Sequence, residues 1–200
     1  MDISAALIKQ LRETTGAGIL DCRKTLEQTG GDMEKAVAVL REKGLAAAAK
    51  RSDRATNDGV IELYSHGNGR VGVMVEVNCE TDFVARTEEF RHFAHELALQ
   101  IAANSPKYLD VPNIPESVLE DEKKLAVAKA KADGKPDAVI EKIVEGRLAK
   151  FYQDVCLLQQ PYIRDETVTV GEMFKQIISS TRENVVIRRF ERWELGEERE

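Results

Sequence analysis

Residues 70–101 read RVGVMVEVNCETDFVARTEEFRHFAHELALQI, and the hydrophobic period changes inside that one stretch. Val71, Val73, Val75 and Val77 alternate strictly. Successive side chains of a strand point to opposite faces, so this alternation predicts a strand with one buried face. Further on, Phe90, Phe93, Ala94, Leu97 and Ile101 fall at the spacing of a single helical face. A strand that hands over directly to a helix predicts an α+β core. GVIELYS (59–65) is also strand-like, and His66-Gly67-Asn68-Gly69 supplies turn chemistry between the two runs. The pair is therefore expected to form a hairpin with a small antiparallel sheet packed by helices.

Working outward toward the N-terminus, residues 1–44 predict three short helices. Ile3, Leu7 and Leu11 line the first, which Thr14-Thr15-Gly16 stops. Ile19, Cys22 and Leu26 line the second, ending at Thr29-Gly30-Gly31. Asp32 is a good N-cap for the third, whose stripe is Met33, Val37 and Leu40 and whose left-handed end is assigned to Gly44. Such a bundle has a tiny core and depends on its context. Its size and plan are those of ubiquitin-associated domains. Residues 45–56, LAAAAKRSDRAT, read as a helical connector: four alanines favour helix without a wide apolar face, and Lys50, Arg51 and Arg54 make it basic.

Residues 57–200 are expected to form the core domain. After a proline-punctuated loop, Ser117 and Glu120 have the spacing of a capping box and open a charged helix through about Ala132. Asp133-Gly134-Lys135-Pro136 turns the chain. A second helix then carries Ile140, Ile143, Val144, Phe151, Val155 and Leu158. Helices joined by so short a turn lie antiparallel, giving a helix pair over about 116–160 that Pro161 ends. A helix over 170–180 and a last strand in ENVVIRRFERWEL complete the chain.

The composition sets outer limits. No apolar run approaches the roughly 18 residues of a membrane span. The first residues lack a basic start followed by an apolar run, so no secretory signal is expected. Three widely spaced cysteines, Cys22, Cys79 and Cys156, do not suggest a disulfide framework, and a reducing cytoplasm is expected. Net charge is −6, unlike a nucleic-acid polycation. The distribution is uneven: residues 1–56 hold ten Lys/Arg against eight Asp/Glu, whereas 57–200 hold 19 against 27. A charged partner would suit that asymmetry.

The chemistry-bearing residues are few. His92 and His95 lack a third ligand at metal spacing and are read as solvated or partly packed, so no metal or cofactor is expected. Gly16-Ala17-Gly18 follows a helix rather than a strand, and no lysine-serine pair follows it. It is read as a turn between helices, not a phosphate loop. Cys22 and Cys79 are read as small core residues. Lys50, Arg51 and Arg54, like Arg188, Arg189 and Arg192, lack an aromatic platform and are read as solvated charge.

Two places resist a purely structural reading. Ile19 and Leu20 are large aliphatics side by side at a helix start. Helix neighbours point about 100° apart, so in a small bundle one of them stays exposed as a contact patch. The second place is Glu80-Thr81-Asp82-Phe83-Val84, between strand and helix. Phe83 lies on a junction where it either packs or projects, and its residue type alone assigns it to the core.

These two places carry a family resemblance. LRETTGAGILDCRKTL (Leu11–Leu26) resembles the N-terminal signature of the elongation factor Ts family, and EVNCETDFVAR (Glu76–Arg86) resembles its second signature. REKGLAAAAKRSDR, LLQQPYIRDETVTV and ENVVIRRFERWELGEE resemble the connector and the C-terminal segments, so the likeness runs nearly end to end. The resemblance implies a guanine-nucleotide exchange factor, not an enzyme, that binds elongation factor Tu in its GDP-bound and nucleotide-free forms. It implies that Thr81, Asp82, Phe83 and Val84 insert against the partner's G domain and disturb its magnesium site. Arg12, Ile19 and Leu20 fall at the positions by which the N-terminal bundle docks; longer members have two methionines where this chain has Ile19 and Leu20. Longer members also duplicate the core, and short ones pair two chains. A homodimer in a two-to-two complex is therefore expected, with the strand around Val185–Trp193 as the pairing surface. Neither a membrane nor a nucleic-acid partner is expected. A ubiquitin-binding scaffold and an RNA-binding accessory protein are the competing readings; a third, a hydrolase or metalloenzyme, lacks a triad, ligand set or phosphate loop in the sequence.

Overall fold

The computed structural model describes residues 3–198, with Leu45 and residues 47–49 described in backbone only. The reading that the alanine run lacks a wide apolar face, and the last two residues of the acidic tail, lie outside the described part. In chain order the elements are α1 (Ala5–Thr15), α2 (Ile19–Gln28), α3 (Met33–Ala49), β1 (Asp58–His66) and β2 (Val71–Cys79). Next come α4 (Asp82–Ala85), α5 (Glu88–Asn104), α6 (Glu116–Ala132) and α7 (Asp137–Val155). The chain closes with β3 (Pro161–Tyr162), β4 (Asp165–Thr169), α8 (Val170–Thr181) and β5 (Val186–Glu194). The class is α+β, as the change of period implies. The three-stranded sheet is antiparallel with order β1–β2–β5, so β1 and β5 are its edges. Alternation in β2 decides its faces: Val71, Val73, Val75 and Val77 are buried, while Gly72 and Met74 are exposed.

The contact pattern divides the chain into two compact units. The first comprises Met1–Glu62, Val75–His95 and Glu172–Phe190. Its N-terminal bundle buries Leu11, Cys22, Leu26, Ala36 and Leu40, flanked by Ile3, Leu7, Met33 and Val37. These are the stripes read from the sequence, except that Ile19 stays outside. Asp32 caps α3 as expected, accepting from Lys35 N at 3.1 Å. Gly44 does not end that helix, which continues to Ala49. A Cβ on Gly44 would meet Ser179 Oγ at 2.8 Å, so close approach to α8 accounts for the glycine rather than a left-handed cap.

The second unit comprises Leu63–Met74, Glu96–Gly171 and Glu191–Glu200. Here α6 packs on α7 as a helical hairpin. The Ser117–Glu120 capping box does not form. Pro115 takes the N-cap position, α6 starts at Glu116, and Ser117 already lies inside the first turn. The β3–β4 hairpin was not read from the sequence, because two residues of strand leave no period to see. Buried polar side chains of α5 secure it. Glu96 accepts from Tyr162 Oη and bidentately from Arg164, with Nε at 2.5 Å and Nη2 at 3.0 Å. Gln100 accepts from Ile163 N at 2.9 Å and donates to Gln160 and to the Pro161 carbonyl, each at 3.1 Å. Burial, with the hydrogen bond to Glu96 second, pushes the Tyr162 phenol up to about 12.

Candidate partner-binding site

The residues read as contacting a partner, Arg12, Ile19, Leu20 and residues 81–84, all fall in the first unit. Strand β2 ends at Cys79 and the chain turns into α4, a single helical turn. Thr81 is its N-cap, with φ −131° and ψ 152°. Its Oγ1 accepts from Val84 N at 3.4 Å, and Asp82 pairs with Arg86 at 2.9 Å. With Ala85 buried and Val84 partly so, the 100° step of the helix carries Phe83 the other way. Phe83 is 79% exposed. Assigning it to the core from residue type alone was wrong. One helical turn has only one inward side, and Ala85 occupies it.

Beneath this turn Cys79 is fully buried, and its Sγ donates to the Thr81 carbonyl at 3.2 Å. Burial, reinforced by the Glu183 carboxylate, pushes its thiol up to about 11. Cys22 and Cys156 are buried and raised as well, Cys156 to about 11 by burial and then Asp110. Such thiols pack rather than attack.

On the bundle, Gly16 closes α1 at φ 66° and Gly18 caps α2, so Gly16-Ala17-Gly18 is the expected helix-to-helix turn. Directly after it come Ile19, 55% exposed, and Leu20, 71% exposed. The sequence reading left one of the two outside; both are. Arg12, on the last turn of α1, is exposed too. All three residues read as docking positions are thus exposed.

Sequence reasoning missed Glu183. Its Oε2 accepts from the amides of Glu80, at 3.0 Å, and Thr81, at 3.1 Å, while its Oε1 accepts from Thr81 Oγ1 at 2.6 Å. More than 100 residues separate these partners, and no local spacing announces such a contact. Asn184 adds a bond from its amide to Glu80 Oε1 at 2.6 Å. Four of the arginines considered for RNA have protein acceptors within reach. Arg54 pairs with Glu80, Arg189 with Glu76, and Arg192 with Glu194 and Glu197, while Arg188 donates to Asn78. His95 Nδ1 lies 2.8 Å from Glu62. Among the described residues no helix is long and apolar enough to cross a membrane.

Comparison with known proteins finds likeness along nearly the whole chain. The family model described as Elongation factor TS matches residues 4–197. A protein named Elongation factor Ts from Coprothermobacter proteolyticus is 54% identical, covering 98% of this chain and 100% of its own length. Its namesake from Caldanaerobacter subterraneus subsp. tengcongensis is 56% identical, covering 98% of each chain. That from Carboxydothermus hydrogenoformans is 52% identical, covering 98% of this chain and 90% of its own.

Proposed function

This chain belongs to the elongation factor Ts family, and from that premise we propose that it is a guanine-nucleotide exchange factor for elongation factor Tu in translation elongation. It binds the GDP-bound partner, disturbs the partner's magnesium and nucleotide site, and promotes GDP release so that GTP enters. It makes and breaks no bond of its own and works in the cytoplasm. The observation that carries this reading is Phe83, an aromatic ring held out at 79% exposure on a single capped turn. A soluble monomer gains nothing from such a ring in water, whereas a partner's cleft does.

Three segments divide the work. Residues 1–44 dock through Arg12, Ile19 and Leu20. Residues 45–56 connect. Residues 57–200 present Thr81, Asp82, Phe83 and Val84 and pair the chains. Tight GDP binding depends on magnesium neutralising phosphate charge within ordered loops. An exchange factor must therefore prefer the nucleotide-free partner, by about 1.4 kcal/mol for each tenfold weakening of GDP. Linkage then requires GDP to weaken the factor's own binding equally. Phe83 supplies the preference as a wedge whose burial displaces packed elements of the partner. Asp82 hydrogen-bonds to the same elements.

The second part of the reading is a homodimer, giving two-to-two complexes. It is supported by the open face of the sheet in the second unit. There Leu63, Met74 and Trp193 help to line a concavity of about 410 Å³, with Tyr64, Gly72 and Glu191 also in its wall. Leu63 is 69% exposed and Trp193 64%. A two-fold axis buries each such residue twice, which suits an isologous interface.

The test is release of a fluorescent GDP analogue from elongation factor Tu at fixed magnesium. Acceleration by substoichiometric amounts of the protein is expected. A folded sample that leaves the release rate unchanged would overturn the exchange reading.

A further inference from the structure

Phe83 is exposed, so its own packing does not hold it; its place is set by the backbone that carries it. That backbone is gripped by the short segment Ser179–Asn184, at the end of α8. Glu183 accepts from both amides that lead into α4 and from the Thr81 hydroxyl. Asn184 fixes the other side of the same turn: its amide donates to Glu80, and its side chain donates to the carbonyls of Ser52, at 3.0 Å, and Arg54, at 2.8 Å. The preceding residues of the segment meet the bundle. A Cβ on Gly16 would lie 3.0 Å from Ser180 Cβ, and one on Gly18 would lie 2.5 Å from Arg182 Nη2. Arg182 also reaches Asp21 at 3.9 Å, one residue beyond Leu20. Its φ of 59° lies in the left-handed region that residues other than glycine seldom adopt. That bend separates the residues facing the bundle from the carboxylate facing α4.

We propose that Glu183 is a positioning residue of the exchange site: it holds the start of α4 so that Phe83 projects, and its segment sets the span between Phe83 and the Ile19–Leu20 patch. In this role Glu183 acts through Phe83. This rests on the exchange reading above. A rigid two-point binder delivers the energy of bundle docking to the wedge, because the second contact is already placed when the first forms. A loose turn would let Phe83 swing with the partner's loops and leave them undisturbed.

The experiment is GDP-analogue release from elongation factor Tu as a function of factor concentration, with Glu183→Gln. The amide keeps the size of the side chain but removes the charge that three donors share, and it aims its own N–H groups at donors. The expected result is a maximal release rate about tenfold lower, with the half-saturating concentration moved by less than about threefold. In a Phe83→Ala background the same change adds nothing further, since both act through one ring. A general loss of structure would instead raise the half-saturating concentration and add to Phe83→Ala. Thr81→Val is the second variant: it deletes the cap and the 2.6 Å bond but leaves the Glu183 carboxylate and both backbone amides in place. It is expected to act in the same direction and less strongly. An unchanged maximal rate in a folded Glu183→Gln, or in Thr81→Val if the first variant does not fold, overturns the positioning role alone. Additive losses in the double variant do the same. A wild-type protein that never accelerates release overturns the exchange reading along with it.

Discussion

Phe83 is a residue the fold does not need, and the proposed exchange function gives it a part to play. Its ring is mostly in water, so Phe83→Ala should change stability by no more than about 0.5 kcal/mol. As the proposed wedge, the same ring would become a buried aromatic anchor in the complex, worth roughly 2 kcal/mol or more, or about thirtyfold in the rate it controls. The expected outcome is an unaltered thermal midpoint and a maximal GDP-release rate reduced to that degree. Equal release by the variant and the wild type would remove the wedge. Glu80 and Glu183 make the complementary point. Each carboxylate caps backbone or side-chain donors brought from the far end of the chain, and so each supports a turn that its own neighbours do not.

At the scale of elements, the bundle is the vulnerable part. Leu26 is fully buried, with four other buried residues in that cluster among the described residues. Leu26→Ala should cost about 2–5 kcal/mol, which is comparable to what so small a core contributes in total. Hydrogen exchange is expected to show loss of protection across α1–α3 while α5 keeps its own. Uniform loss in both would mean that the bundle and the rest of the chain unfold together. The helices and β2 were legible in the sequence because each long element repeats its period often enough to be read. Where the period was too short, reading failed. The β3–β4 hairpin has two residues on one side, and α4 has one turn, so the outward direction of Phe83 had to come from its neighbour Ala85. Gly44 was misread for a different reason: a glycine tolerated for close approach to Ser179 has the same letter as a glycine that ends a helix. The two exposed places, Ile19–Leu20 and Phe83, were visible as oddities of residue type, but the segment joining them was not, because its contacts cross more than 100 residues.

For the whole molecule, two features of the surface and interior set its response to conditions. The buried thiols make the fold sensitive to alkali. Cys79 and Cys156 ionise near 11 in the folded chain, against 9.0 for an ordinary thiol. Above pH 9 the unfolded chain loses these protons first, so it binds fewer protons than the native state and stability falls with rising pH. The contribution is complete below pH 9 and is lost progressively up to about 11. A thermal midpoint that stays level across that window would show that the thiols titrate normally. The second feature is the open sheet face. Trp193 is the chain's one tryptophan, so its emission reports that face without interference. Stable interfaces bury at least about 1,000 Å² in total, and Leu63, Met74 and Trp193, doubled by a two-fold axis, offer apolar surface toward it. Wild-type protein should sediment at twice 22.3 kDa at micromolar concentration, with its emission moving to longer wavelength on dilution as Trp193 returns to water. Trp193→Glu places two like charges beside the axis and should give a monomer with α5 still protected from exchange. The wedge lies elsewhere in the chain, so the monomer should still release GDP from its partner, one chain to one. Wild type sedimenting as a monomer would end the two-to-two model. A monomeric variant that no longer promotes release would make pairing part of the exchange mechanism rather than a cover for an apolar face.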